Sequence, residues 1–486
     1  MVLTKKKDIL LIYPAYTYPR KSPPLGLAYL AAYVEQASFK PHIHDFNIDR
    51  INDGNFKELL LSRPWLVVGM SFMTNQFAEA LRLSSFIKQI LPDTPLVAGG
   101  PHPSSIPERT LQELPALDII VKGEGEGTLK ELAEVLRDGN NYDQIHGLCF
   151  KKHGRIINNK KRELVVDIDE LPFPAWKYLD VKKYSVFNIT GRDGALVFAL
   201  LSSRGCPNFC TFCDSHTIFG RKFRPRSAQN LFDEIIYLNK TYGMVEFDFV
   251  DDLFTVQKKR VLEFCELICN SGIPFKWMAN ARVNTVDREM LQAIKAAGCI
   301  RVDFGVETGD QYVRKLMRKN ITDEQIRKAH QIAHDIGIST GSFTMVGNLG
   351  ETKNSAKMTV ELLKDIGDDV MVSIACPFPG TELYSIAKEK GLINTEDWTR
   401  YVTSPTYTPN YRPVMRTEHI SEDEILESFY YIHSFFARRK FQRRFGRYFF
   451  FNLRFYREWV FNAKGLRRRF KMAIRLVNSR IKAFFC

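Results

Sequence analysis

Over residues 8–138 short apolar runs alternate with longer stretches whose apolar side chains recur every three or four positions. The runs Ile9–Tyr13, His42–Phe46, Leu66–Phe72, Pro95–Ala98 and Asp118–Lys122 predict strands. Leu25–Ala37, Asn55–Ser62, Asn75–Leu91, Pro107–Glu113 and Gly127–Arg137 predict the intervening helices. The run LVVGMSF at 66–72 is almost continuously apolar, the mark of a strand covered on both faces. Five such repeats imply an α/β domain built on an open, doubly wound parallel sheet. Ligands of such sheets lie beyond the carboxyl ends of the strands. Those ends carry Pro24, Gly26, Ser71, Gly99, Gly100, His102, Gly123 and Glu124, where backbone can approach a flat ligand.

A second series begins near residue 196. Strands are predicted at Leu196–Leu201, Glu246–Val250, Phe275–Asn280, Arg301–Val306, Ser339–Val346 and Asp369–Ala375, with helices such as Ala228–Tyr242 and Thr322–Ile336 between them. Six units are too few for the usual eight-fold barrel, so a partial (β/α)6 barrel is expected, with its chemistry at the carboxyl ends of the strands. The expected division is a first domain at 1–149, a connecting segment with a small hairpin at 150–195, the barrel at 196–400 and a helical, basic and aromatic region at 401–486.

Charge changes this picture at one end only. The 486 residues carry 69 Lys and Arg against 55 Asp and Glu, a formal charge of +14. From Arg438 onward the chain has sixteen of those bases and one acid, Glu458, which leaves 53 bases against 54 acids before it. A uniformly basic nucleic-acid coat is thereby excluded. From Gly465, Leu466, Phe470, Ala473, Val477, Ile481 and Phe484 recur at helical spacing, with arginines and lysines on other faces. Such a helix suits an anionic membrane interface, so peripheral membrane contact through 438–486 is expected ahead of a helical cap on the barrel, and nucleic acid comes last.

Nine cysteines, three of them within eight residues, suit a reducing cytoplasm and a metal site better than a disulfide scaffold. The apolar run after the first lysines is too short for a signal peptide. Cys206, Cys210 and Cys213 form C-x3-C-x2-C directly after the first predicted barrel strand. Three thiolates can hold a [4Fe–4S] cluster by three irons and leave the fourth open. The alternative is a zinc site completed by His216.

With Phe212 before the third cysteine, this motif resembles that of the radical S-adenosylmethionine (SAM) superfamily. The resemblance implies that the open iron chelates SAM and that one electron releases a 5′-deoxyadenosyl radical. It implies SAM contacts from Asp251 and Asp252, Arg282, Glu307 at the ribose, and Gly347 in FTMVGNLGET against the adenosine. The N-terminal segments PPLGLAYLAAYVE, GGPHPS and VKGEGEGTLKELAE resemble the Rossmann-like domain of the cobalamin-binding subgroup, which includes methyltransferases and the anaerobic ring-forming cyclases of chlorophyll synthesis. The cobalt-ligating D-x-H-x-x-G motif is missing, so a lower histidine ligand is not expected; His102 is the histidine nearest a corrin on this reading. No cysteine precedes Cys149, which excludes the second cluster of methylthiotransferases.

The expected function is cobalamin-dependent methylation of an unactivated carbon, with a [4Fe–4S] cluster, SAM and cobalamin as cofactors. The expected partners are a small-molecule or lipid-like substrate and an external electron donor of flavodoxin or ferredoxin type. The alternatives are a non-methylating oxidative cyclisation or rearrangement, and a membrane- or RNA-binding protein with a structural metal.

Overall fold

The computed structural model describes residues 6–16, 22–184, 197–366, 369–406, 408 and 410–446. Seven strands make the first sheet: β1 (Asp8–Tyr13), β2 (Lys40–Asp45), β3 (Trp65–Ser71), β4 (Leu96–Gly99), β5 (Ile119–Val121), β6 (Leu148–Lys152) and β7 (Arg155–Asn158). Their order is β2-β1-β3-β4-β5-β6-β7. The first five run parallel, as the apolar runs predict; β6 and β7 add an antiparallel edge. The small hairpin expected after residue 149 is thus part of this sheet. His153 and Gly154 supply positive φ values of 48° and 76° at its turn, the backbone that a two-residue hairpin loop needs.

The barrel strands are β8 (Val197–Leu200), β9 (Ser203–Arg204), β10 (Arg224–Pro225), β11 (Glu246–Phe249), β12 (Lys276–Ala281), β13 (Cys299–Glu307), β14 (Ser339–Val346) and β15 (Asp369–Ile374). Six of them form a parallel sheet ordered β15-β14-β13-β12-β11-β8, while β9 and β10 pair by themselves. Among the described residues β8 and β15 do not pair, so the barrel is partial, as six units require. Its helices start where the sequence offers caps. Ser227, Asp287 and Thr322 each accept a backbone N–H of the first turn, and Gly243 and Gly337 end helices in the left-handed region. Phe247, Phe249, Phe254, Phe264 and Trp277 fill the barrel core edge to face and stacked, and the Trp277 indole donates to the Ala297 carbonyl at 2.8 Å.

The two sheets are locked together at several points. Ala175 N–H donates to Ala28 O at 3.0 Å, which ties the connecting segment to the first domain. The Trp398 indole, from the segment after the barrel, donates to Glu113 at 2.7 Å and lies under the Arg109 guanidinium at 4.5 Å. A capping box of Ser421 and Glu424 starts the helix Glu422–Phe445, which buries Ile425, Phe429, Ile432 and Phe436 against β15 and its neighbours. Its last turns include Arg438–Phe445, so the start of the basic region is a cap on the barrel. The amphipathic helix expected from Gly465 lies outside the described residues. Among the described residues no helix is long and apolar enough to cross a membrane.

Candidate active site between the two domains

A cavity of about 400 Å³ opens at the carboxyl ends of β1, β3, β4 and β5. One wall is the first domain: Pro24, Gly26, Ser71, Gly99, Gly100, Gly123 and Glu124 all line it, together with Tyr13, Tyr16 and Met73. The opposite wall is the barrel: Ala199, Leu201, Arg204, Ile218, Phe219 and Val250. The glycines leave backbone bare where side chains would fill the space. Gly100 has φ +93°, and a Cβ there would stand 2.8 Å from Ser71 Oγ and 2.9 Å from the Phe72 backbone. Gly26 faces open space. A flat ligand with an apolar face and peripheral amides fits such a wall, which is the shape and chemistry of a corrin.

His102 is elsewhere. It is 1% exposed, its Nδ1 is 3.1 Å from Thr74 Oγ1, and its ring sits among Phe72, Phe77 and Trp398. Burial, with the Arg109 charge adding to it, pushes its pKa down to about 3, so it is a neutral core residue. The expectation that His102 neighbours the corrin is corrected: the short helix Pro101–Ser105 turns its side chain into the core beneath the sheet end.

Glu124 lines the cavity but is already engaged. Arg204 donates to Glu124 Oε1 at 3.1 Å and to Glu126 Oε1 at 2.6 Å, and Arg224 reaches Glu124 Oε1 at 2.8 Å. All four charges are buried. Glu124 also accepts Val165 N–H at 3.0 Å, and the Arg204 guanidinium lies over the rings of Tyr29 and Phe219 at 5.1 and 5.3 Å. Burial pushes the Glu126 carboxyl up, and Arg204 more than reverses this, holding it below its usual range. The network joins the two domains at the cavity wall.

Arg204 is two residues from Cys206, so the network holds the root of the cysteine loop. Gly205 between them has φ +82°, and a Cβ there would lie 2.2 Å from Lys222 O. Cys206, Cys210 and Cys213 are half-buried free thiols. Burial pushes Cys210 up while Lys319 and Arg282 pull it back; Cys213 is pushed up to about 12 by burial. Among the described residues no three His, Cys, Asp or Glu side chains converge on a single metal ion. Three ligands to three different irons need no such convergence, and His216 turns its Nδ1 to Cys213 O at 3.1 Å, away from a shared centre. Two cations beside half-buried thiols suit the negative charge of a thiolate-bound cluster.

The remaining predicted residues surround this loop. Arg282 is buried, places Nη1 4.0 Å from Cys210 Sγ, and donates to Asn284 Oδ1 and Lys319 O. Glu307 ends β13 at a bulge in the pairing with β14 and has φ +69°, a strained value for a side-chain-bearing residue. Asp251 accepts from Ser202 N–H and the hydroxyls of Ser202 and Ser203, and so clamps the ends of β8 and β11. Asp252 beside it is exposed and takes a hydrogen bond from Ser215. Gly347 has φ +84° and donates its N–H to Glu351, while Phe212 packs with Ala375, Leu383 and Met415. Sequence reasoning missed Lys319. It is 6% exposed and donates to Glu307 Oε1 at 2.7 Å. Nothing in LMRKN distinguishes it from a solvated basic loop. Arg204, Arg224 and Glu126 were missed because their pairing joins residues about 80 to 100 positions apart.

Comparison with known proteins agrees with this geometry. The family model of the radical SAM superfamily matches residues 200–363, and that of the B12 binding domain matches residues 15–133. An uncharacterized methyltransferase of Pyrococcus horikoshii is 33% identical over 410 residues, 83% of this chain and 85% of its own. The anaerobic magnesium-protoporphyrin IX monomethyl ester cyclase of Rubrivivax gelatinosus is 27% identical over 83% of this chain and 72% of its own. Among solved structures, the cobalamin-dependent S-adenosylmethionine radical enzyme OxsB shares the fold with a TM-score of 0.74 at 18% identity, over 99% of this chain and 72% of its own.

Proposed function

We infer the reaction from a premise the preceding findings establish: the chain belongs to the B12-binding radical SAM superfamily, and it is a cobalamin-dependent radical SAM enzyme with a [4Fe–4S] cluster, SAM and cobalamin as cofactors. The reading we propose is methyl transfer to an unactivated carbon of a hydrophobic substrate. When bound, these cofactors supply a hydrogen-abstracting radical and a transferable methyl group.

The chain's own residues do the rest. Cys206, Cys210 and Cys213 would hold the cluster, with Arg282 and Lys319 balancing its charge. Glu307 on its bulge would accept the ribose hydroxyls, with its carboxylate held by Lys319. Gly99, Gly100 and Gly26 would let the corrin lie against backbone. Leu201, Val250, Ile218 and Phe219 line the barrel side of the cavity and keep water from a reactive centre. The observation that carries the reading is that one cavity takes its two walls from the two cofactor domains.

Its apolar lining supports a hydrophobic substrate, and the Rubrivivax relative acts on a tetrapyrrole ester. The same relative supports ring formation as the second reading, because its named reaction is a cyclisation. Anaerobic reconstitution with iron, sulfide, SAM and Ti(III) citrate tests the shared step, which should yield 5′-deoxyadenosine. Cys206→Ala, Cys210→Ala and Cys213→Ala should each abolish cluster absorbance and SAM cleavage. Retained cleavage would overturn the cluster assignment. A product heavier by one CH₂ separates methylation from cyclisation.

A further inference from the structure

The cysteine loop also has an outer face. Phe209, one residue before Cys210, is 56% exposed, although aromatic side chains of this size are usually buried. The Arg221 guanidinium lies over its ring at 4.4 Å and donates to Asn208 O at 2.8 Å, so the ring is held outward. Lys222 beside Arg221 is exposed. Just past Cys210, Thr211 N–H donates to Met317 O at 3.2 Å, which brings the end of the helix Gln311–Leu316 against the loop. That helix presents Tyr312, 62% exposed, and Leu316 one turn on, with exposed Lys315 between them and Arg318 just beyond. Arg318 pairs with Glu382, and Gln311 at the start of the same helix donates to Asp323.

We propose that this face, Phe209 with the basic residues Arg221, Lys222, Lys315 and Arg318, docks an acidic one-electron carrier protein that reduces the cluster. The proposal rests on the radical SAM reading above, which requires one electron per SAM cleaved. One electron leaves the reduced carrier, which is oxidised by one electron, and enters the cluster held by the cysteine loop. Electron transfer falls steeply with distance, so the carrier must reach the loop itself, and Phe209 is the loop's outward apolar contact. Redox encounters use small interfaces, and opposite charge steers them into register. An apolar centre inside a positive rim is what an acidic carrier of flavodoxin or ferredoxin type complements.

The test compares two reductants on the cluster-loaded full chain. SAM cleavage is driven either by enzymatically reduced flavodoxin or ferredoxin, or by Ti(III) citrate. Lys222→Glu and Lys315→Glu together should raise the KM for the carrier at least ten-fold. The Ti(III) rate should stay within two-fold of wild type. Phe209→Ser should lower the ratio of carrier-driven to Ti(III)-driven rate, at unchanged iron content. Added salt should raise the wild-type KM for the carrier and leave that of the double charge variant nearly flat. Equal losses with both reductants, or unchanged carrier kinetics, would overturn the proposal. So would a wild-type chain that works with Ti(III) citrate and with neither carrier. No cleavage with Ti(III) citrate would instead refute the radical SAM reading itself.

Discussion

Replacing Arg204 by Met should unbalance the charge network at the domain junction. Arg204 is 3% exposed and holds Glu124 at 3.1 Å and Glu126 at 2.6 Å. Glu124 keeps Arg224 at 2.8 Å after the substitution, whereas Glu126 loses the guanidinium that offsets its burial. Breaking a buried pair from one side costs about 3–5 kcal/mol, because a charge is left without compensation. At roughly 2–4 °C per kcal/mol for a unit of 150–250 residues, the melting temperature should fall by about 10 °C. The sign with pH follows from the same carboxyl. In the wild type Arg204 holds it below its usual range, so its stabilisation is present above the ordinary carboxylate pKa and is lost as pH falls through the lowered folded value. In Arg204→Met only the Arg224 charge and a backbone hydrogen bond still oppose burial, so the carboxyl should move up. The deficit should therefore be largest near neutrality and shrink on mild acidification, as Glu126 takes up a proton. Urea unfolding of the wild type, Arg204→Met, Glu126→Gln and the double variant, at two pH values, measures this. The double variant should recover about half of the loss or more, since it removes both charges. A single-variant cost below about 1 kcal/mol, or strictly additive losses, would show that solvent reaches the network and that the argument from burial is wrong.

Four further outcomes follow from single contacts. Lys319→Met should raise the Kd for SAM several-fold at intact iron content and Lys319→Arg should restore part of it, because the 2.7 Å bond to Glu307 needs a cation; isothermal titration with SAM reads it. Gly100→Ala should cost at least about 2 kcal/mol and abolish cobalamin retention, since its Cβ would meet Ser71 and Phe72 within 2.9 Å at φ +93°; thermal unfolding and bound-cobalamin absorbance check both. Trp398→Ala should cost about 3–5 kcal/mol and expose the segment 390–402 to limited proteolysis, because the indole bridges to Glu113 and Arg109. Removal of residues 447–486 should weaken flotation with anionic vesicles in a salt-sensitive way, since that segment carries eleven bases against one acid; unchanged flotation would return the whole basic region to the role of a cap.

The elements legible in the sequence are those whose signal is local. Short β-rich runs, the most continuous at 66–72, marked the five parallel strands and the six barrel strands, and helical periodicity marked the segments between them. The C-x3-C-x2-C spacing marked the loop, because here the three candidate cluster ligands lie within eight residues of one another. What the sequence hid is pairing at a distance. GEGE reads as a loop beside a ligand, yet Glu124 and Glu126 are satisfied by Arg204 and Arg224 from the other domain. His102 follows two glycines at a strand end, where a ligand contact is the natural reading. The following helix and Trp398 make it part of the core instead.

That distant pairing bears on how the site can exist at all. Glu124 and Glu126 belong to the first domain, and the guanidinium groups that neutralise them belong to β9 and β10 beside the cysteine loop. Either domain alone would leave buried charges uncompensated or exposed, and the cavity would lose a wall. The junction therefore fixes the cysteine loop against the glycine wall before any ligand enters. On the proposed reading the two reactive centres would need that registry, because a displacement of about 1 Å can cost a hundred-fold in rate. The charge network is thus a positioning device for the reaction as well as a source of stability. Variants within it should lower turnover by more than their loss of folded protein accounts for.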